Sequence, residues 1–352
     1  MIFRKKIDEA LNEFSQNVKP ISLYRDAWNR LKKNKMAIIG MVVVSIYFII
    51  SLLAPLLPFY NYAEQEMSHI NMPPSFKPAG EVMISTREAY LVKLMAKEKR
   101  TEYTAVEKEQ LEAMHREAET NPVNKKVYIF GTDVLGRDLL TRVIYGGRIS
   151  IGIGIVGTLT AMLFGTFYGA IAGFIGGKID NVMMRIVDVI YSLPYLMLVI
   201  VLMALFGGKS IFHLYLAIVM ISWLNLARVV RGQVMSLKNS EFIEAARSAG
   251  AGTWRIIWKH LLPNVVGLII VYSSLSLPSF IINEAFLSFL GLGVSAPMTS
   301  WGVLIDDGTK VLDLYPWLLV IPAITMSLFI FCMNFLGDGL RDAFDPQAKN
   351  RL

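Results

Sequence analysis

Three polar side chains stand where they are least expected: Asp188, Asn283 and Glu284 fall inside long apolar runs. A charged group facing lipid costs on the order of 3 kcal/mol, so each carboxylate implies a partner or water. Arg185, three residues before Asp188, offers a local helical ion pair near a span end. Glu284 either lines a pathway or bonds a neighbouring backbone, and Asn283 and Asn334 leave the same choice open. Elsewhere the chemistry is sparse. The four His show no H-E-x-x-H spacing, and the single Cys332 excludes an intramolecular disulfide or a Cys-based metal cluster, so no metal site and no catalytic residue is assigned. Gly207-Gly208-Lys209-Ser210 ends like a phosphate-binding loop, but Met203 stands where its first Gly belongs and no strand precedes it. The chain is therefore not expected to be an enzyme or to bind ATP.

Apolar helices must position these groups. The 352 residues are 54% hydrophobic and only 18% charged, against about 25% charged in soluble domains. Charge crowds into 81–126, while runs at about 36–58, 149–175, 186–207, 211–230, 264–290 and 316–336 carry almost none. Each is long enough to cross a bilayer. The net charge of +7 is assigned to basic flanks of the spans, not to nucleic acid. Some 35 polar and basic residues precede the first span, too many for a signal peptide, so that span is expected to stay as an anchor. Lys and Arg concentrate in 1–35 and in 228–263, which places both termini and the 231–263 loop in the cytoplasm. Arg137, Arg142 and Arg148 run against this, but they end a long loop, where the rule is weak.

Local patterns fill in the rest. Tyr24, Ala27, Trp28 and Leu31 make one helical face, predicting an amphipathic helix on the inner membrane surface. Residues 61–130 form an outer insert, irregular around Pro73, Pro74 and Pro78, then strongly helix-forming from about 86 to 119; it is either a spacer or a contact for an extracytoplasmic partner. Gly157, Ala161, Gly165, Gly169, Gly173 and Gly177 recur every four residues, a bare ridge for close helix packing. In the inner loop, Phe242, Ala245, Ala246 and Ala249 predict one apolar face. Gly250 fits a left-handed cap, Thr253 caps a second helix, and Trp254, Ile257, Trp258 and Leu261 form its face. Two amphipathic helices joined by a glycine hinge suit docking of a protein, or simple packing on the chain's own spans.

Glu244-Ala245-Ala246, then Gly250, then Leu262-Pro263 resembles the "EAA" loop of binding-protein-dependent ABC importer permeases. The resemblance implies a type I permease fold and a loop that seats in an ATPase subunit. His260 stands where Ile is frequent, as in the peptide branch. Gly131-Thr132-Asp133, Gly136-Arg137-Asp138, Tyr145-Gly146-x-Arg148-x-Ser150, Glu284-x-x-Leu287-Ser288-Phe289-Leu290-Gly291-Leu292-Gly293, Pro297, Ser300-Trp301-Gly302, and Leu336 to Asp342 with Asp345-Pro346 resemble the oligopeptide/dipeptide/nickel permeases. Ala323 stands where Gly is expected, and the 61–126 insert is longer than expected. Leu23 to Asn34 resembles the C-type subunit.

The expected organisation follows: a cytoplasmic tail (1–35), a first span (36–58), an extracytoplasmic insert with the approach to the second span (59–148), a five-helix core (149–336) and a cytoplasmic tail (337–352). By resemblance, the partners are a second homologous permease, two P-loop ATPases carrying ATP and magnesium, an extracytoplasmic binding protein and membrane lipid, in a bacterial inner membrane. An ion-driven secondary transporter, which calls for an internal repeat, and a membrane scaffold or receptor are the rivals.

Overall fold

A computed structural model describes residues 23–205 and 211–344. The Gly207–Ser210 turn and Asp345-Pro346 lie outside the described residues. Every regular element among those described is helical. Five helical stretches are long and apolar enough to cross a membrane: Lys35–Leu56, Leu139–Ile175, Ile211–Leu237, Thr253–Leu292 and Trp317–Phe344; a bent pair makes a sixth.

The chain begins with α1 (Leu23–Leu31) and α2 (Lys35–Leu53), the latter capped by Asn34, whose side chain accepts from the Met36 and Ala37 amides. The predicted face of α1 is split. Ala27 and Leu31 are buried against Ala37 and Ala343, while Tyr24 and Trp28 remain exposed. Half the stripe packs on the chain's own last helix, because Gly339 there leaves room for Ala37 and Leu31.

The insert folds as a hairpin of α3 (Ala79–Glu98) and α4 (Ala105–Thr120). Lys99, at φ +56°, ends α3. Thr104 opens α4 with a reciprocal capping box to Glu107. Arg100 grips Glu107 through two bonds of 3.1 Å. This bond, with that from the Thr104 amide, holds the Glu107 carboxyl at about 2, below its ordinary 4.5. A carboxyl depressed by folding stabilises above its unfolded value and loses that contribution as pH falls toward the folded one. Amides in the first turn of α4 should therefore exchange at constant protection above about pH 5, with protection falling between about pH 4.5 and 2. In hydrogen exchange corrected for intrinsic rates, Glu107→Gln should abolish that acid dependence; a wild-type profile flat through this range would remove the pair from the account.

The core starts at α5 (Leu139–Thr160), ten residues before the apolar run predicts, because Asp138 caps it by accepting from the Thr141 amide. A wide π-type turn at Ala161–Gly165 leads into α6 (Thr166–Ile175). Gly176 and Gly177, at φ +71° and +61°, reverse the chain into α7 (Gly177–Ser192). The predicted span 186–207 is instead the end of α7 and α8 (Tyr195–Leu205), bent by 90°. Pro194 forces the break: it lacks an N–H and drives Leu193 to an extended ψ of 138°. Next come α9 (Ile211–Ser222) and α10 (Leu224–Leu237), then a loop bearing α11 (Glu241–Ser248) and α12 (Thr253–Ile256). A second wide turn joins α12 to α13 (Leu262–Leu287), which runs through Pro278. The short α14 (Trp301–Thr309) precedes α15 (Trp317–Phe344), which continues past the predicted end at 336.

Close backbone approach sets the packing. A Cβ on Gly169 would lie 2.3 Å from the Ala227 carbonyl oxygen, and one on Gly165 or Gly173 would lie 2.8 or 2.7 Å from those of Trp223 and Arg231. The bare face of α6 therefore lies directly on α10. Gly157 faces the Phe280 ring and Ala161 is buried in the same cluster. Gly177 does not belong to this ridge: a Cβ placed there would meet no neighbouring element within 4 Å, and it serves the turn. Asp180 ties the first turn of α7 to α10 through two 2.6 Å bonds from Arg231. Gly147 meets Ser51 and Trp301 while Gly173 meets Val234 beside the 241–261 loop, so α5 and α6 carry the chain from the insert at one end to that loop at the other.

Candidate functional site

The loop is held by a small apolar core. Ile243, Ala246, Ile256, Ile257 and Leu261 are buried with Val230, Val234 and Val265. Gly250, at φ +81°, closes α11 in a Schellman arrangement: the Ala251 amide donates to the Ala246 carbonyl (3.0 Å) and the Gly250 amide to that of Arg247 (2.9 Å). The predicted faces do not each point one way. Ala246 is buried with Ile243, while Phe242, Ala245 and Ala249 face outward with Glu244. Ile257 and Leu261 are buried, whereas Trp254 and Trp258 are 60% and 54% exposed. The longer aliphatic chains claimed the core, leaving the small residues and the indoles outside. Thr253 is not a cap; Gly252 holds that position and Thr253 is the first helical residue. His260 and Leu262 are half-buried, Pro263 is exposed in the first turn of α13, and Asn264 donates to the His260 carbonyl (2.6 Å). The loop thus displays methyl groups and aromatic rings on a fixed, hinged scaffold.

At the other end, dispersed motifs converge. Glu284 is fully buried and accepts from Ser150 (2.9 Å), Ser288 (2.7 Å) and Ser300 (2.6 Å). Ser150 in turn accepts from the Trp301 amide (3.1 Å), and Ser300 caps α14 by accepting from the Val303 amide (3.2 Å). The Trp301 indole donates to the Val143 carbonyl (2.9 Å). Gly302 admits the approach, since a Cβ there would sit 2.5 Å from Cα of Ala285. Glu284 thus bonds neighbouring side chains and ties α5, α13 and α14 together, while Asn283 is half-buried one position away. Nearby, Asp133 accepts from Arg137 (2.7 Å) and lies 3.2 Å from Arg142, fixing the approach to α5. The helix α14 was not anticipated, although Ser300 before Trp301 is a capping signal.

Asp188 does not pair with Arg185. It lies 2.8 Å from Arg228 of α10, whose guanidinium stacks over Tyr191 at 4.1 Å. The antiparallel return of α7 along α10 brings these residues together, an arrangement local spacing does not show.

These features define a polytopic, all-helical membrane protein with a structured loop at one end and a polar-pinned helix junction at the other. The family described as binding-protein-dependent transport system inner membrane component matches residues 165–350, and the N-terminal TM domain of oligopeptide transport permease C matches 22–74. The chain belongs to this family of transport-system inner membrane components, and with it stands the expected type I permease fold. An oligopeptide transport system permease protein of Haemophilus influenzae is 40% identical over 93% of this chain and 90% of its own length. One of Escherichia coli K12 is 39% identical over 99% of this chain and 100% of its own. A solved structure of the MetNI methionine ABC transporter, inward facing, superposes on 59% of this chain and 98% of that one with a TM-score of 0.47 at 18% identity.

Proposed function

We propose that the chain is one permease subunit of an ATP-driven importer of peptides. A substrate-binding protein delivers the peptide outside, a second homologous permease completes the pathway, and two P-loop ATPases hold ATP and magnesium. Both termini and the 231–263 loop face the cytoplasm of a bacterial inner membrane, in keeping with the Lys and Arg of 1–35 and 228–263. The observation carrying this is the outward face of α11, where Glu244, Ala245 and Ala249 stand exposed beside a left-handed Gly250. Small side chains let a partner helix or cleft approach closely. Nucleotide binding drives transport only if it favours one permease state over another, and the loop is positioned to transmit that preference. The secondary-transporter alternative leaves the loop without a role. Affinity purification of the tagged chain from native membrane, followed by mass spectrometry, should recover a homologous permease and P-loop ATPases. Recovery of the chain alone, still active in ion-driven uptake, would overturn the proposal.

A further inference from the structure

The bend between α7 and α8 opens a cavity of about 600 Å³ against α9, α10 and α13. Its polar lining is Tyr191, Ser222, Asn225, Tyr272, Ser276 and Ser279; the rest is aliphatic apart from Phe280. Ser276 and Ser279 lie about 21 and 26 Å along α13 from Leu262, well inside the thickness of a membrane. Asn225, Tyr272 and Ser279 are nevertheless exposed. Lipid offers such groups no hydrogen bonds, so at that depth they face water, a bound polar chain or another subunit. Tyr272, Ser276, Ser279 and Asn283 recur at i, i+4, i+7 and i+11, one continuous stripe of α13. Immediately on the loop side of the cavity stands the exposed Asp188–Arg228 pair, one turn from Tyr191 and Asn225. An ion pair that far from burial also requires water at its side.

The lining holds five hydroxyls and one carboxamide, that of Asn225, but no charged side chain. Such groups can both donate and accept, although Ser276 and Ser222 already donate to the Tyr272 and Val219 carbonyls of their own helices (2.7 and 3.4 Å) and offer mainly acceptors. A peptide main chain presents one donor and one acceptor at nearly every residue. Uncharged bifunctional partners suit a polymer whose backbone is constant and whose side chains vary. We infer that this cleft is the surface along which the transported peptide passes, held by its main chain against the Tyr272–Asn283 stripe. The inference rests on the peptide-import proposal and adds the residues that touch the cargo.

The test uses the whole complex in native membrane vesicles, with Cys332→Ala as background. Ser276→Cys, Ser279→Cys and, on a different helix, Asn225→Cys supply probes; Ile324→Cys, on a 61% exposed site of α15, is the lipid-facing control. Uptake of alanine peptides of two to five residues by wild-type vesicles is measured first. Absence of uptake counts against peptide import itself, and the cleft assignment falls with it. Where uptake occurs, a water-soluble methanethiosulfonate should modify the cleft cysteines but not residue 324. Alanine peptides and peptides carrying acidic or basic side chains should all slow that modification about tenfold. Modification unaffected by peptide overturns the cleft assignment alone. So does a lack of modification with cross-linking to the second permease, which would make the stripe a subunit interface.

Discussion

Glu284→Ala is expected to lower stability by about 3–5 kcal/mol, because it strands three buried hydroxyls at once and leaves a cavity. Each of Ser150, Ser288 and Ser300 donates to this carboxylate. An unsatisfied buried donor costs about 1–3 kcal/mol, and partial rearrangement of the hydroxyls limits the sum. The loss is large beside a total stability of about 5–15 kcal/mol. Glu284→Gln provides the contrast: its carbonyl still accepts, and its amide can donate to a serine that turns its hydroxyl around. Its cost should stay near about 1–2 kcal/mol. Ser150→Ala should also be milder than Glu284→Ala, though it frees the Trp301 amide as well as the carboxylate. Because membrane complexes commonly unfold irreversibly, the half-time of inactivation at fixed temperature is the suitable measure. Equal half-times for wild type and Glu284→Ala would show that the junction of α5, α13 and α14 is held by packing alone.

The sequence carried some of these facts and could not carry others, for physical reasons. Apolar length alone reveals the first and last spans, at 36–58 and 316–336, since helices with so few buried residues leave a nearly continuous apolar signal. Gly165, Gly169 and Gly173 were legible as a packing face because their spacing is local to one helix, yet the identity of the opposing helix, α10, was not. Gly177 fitted the same period by coincidence, since a turn also selects glycine. The start of α5 was hidden by Arg142 and Arg148, whose charges interrupt the apolar run while the backbone remains helical. Asp188 and Glu284 show the harder limit. Their partners, Arg228 and Ser150, are distant in sequence, and only the antiparallel return of the chain unites them. The loop faces failed differently: period was read correctly, but Ile243 with Ala246 outweighed Phe242, Ala245 and Ala249 in choosing which side is buried.

For the loop, the expected result separates docking from folding. Ala245 is exposed on α11, so Ala245→Trp should change the chain's own stability by less than about 0.5 kcal/mol. A partner surface fitted to a methyl group cannot admit an indole without losing contact, so ATPase recovery with the tagged permease and peptide uptake should both fall about tenfold or more, a change of about 1.4 kcal/mol in docking. Gly250→Val acts through the backbone instead. No atom lies within 4 Å of an added Cβ there, so steric overlap with neighbours is not the issue. At φ +81° a β-branched residue is strained by at least about 1–2 kcal/mol. Relief comes from leaving the left-handed region, which breaks the Ala251-to-Ala246 bond and swings α11 relative to α12. Gly250→Val should therefore insert normally, hold its membrane level and lose uptake, while Gly250→Asn, which tolerates the left-handed conformation, should retain most of it. Restoration by Asn ties the defect to backbone conformation and not to side-chain volume. Normal uptake by both Ala245→Trp and Gly250→Val would remove the docking role from this loop. Loss in Gly250→Val alone would leave the hinge in place but move the contact surface away from Ala245, toward the exposed Trp254 and Trp258.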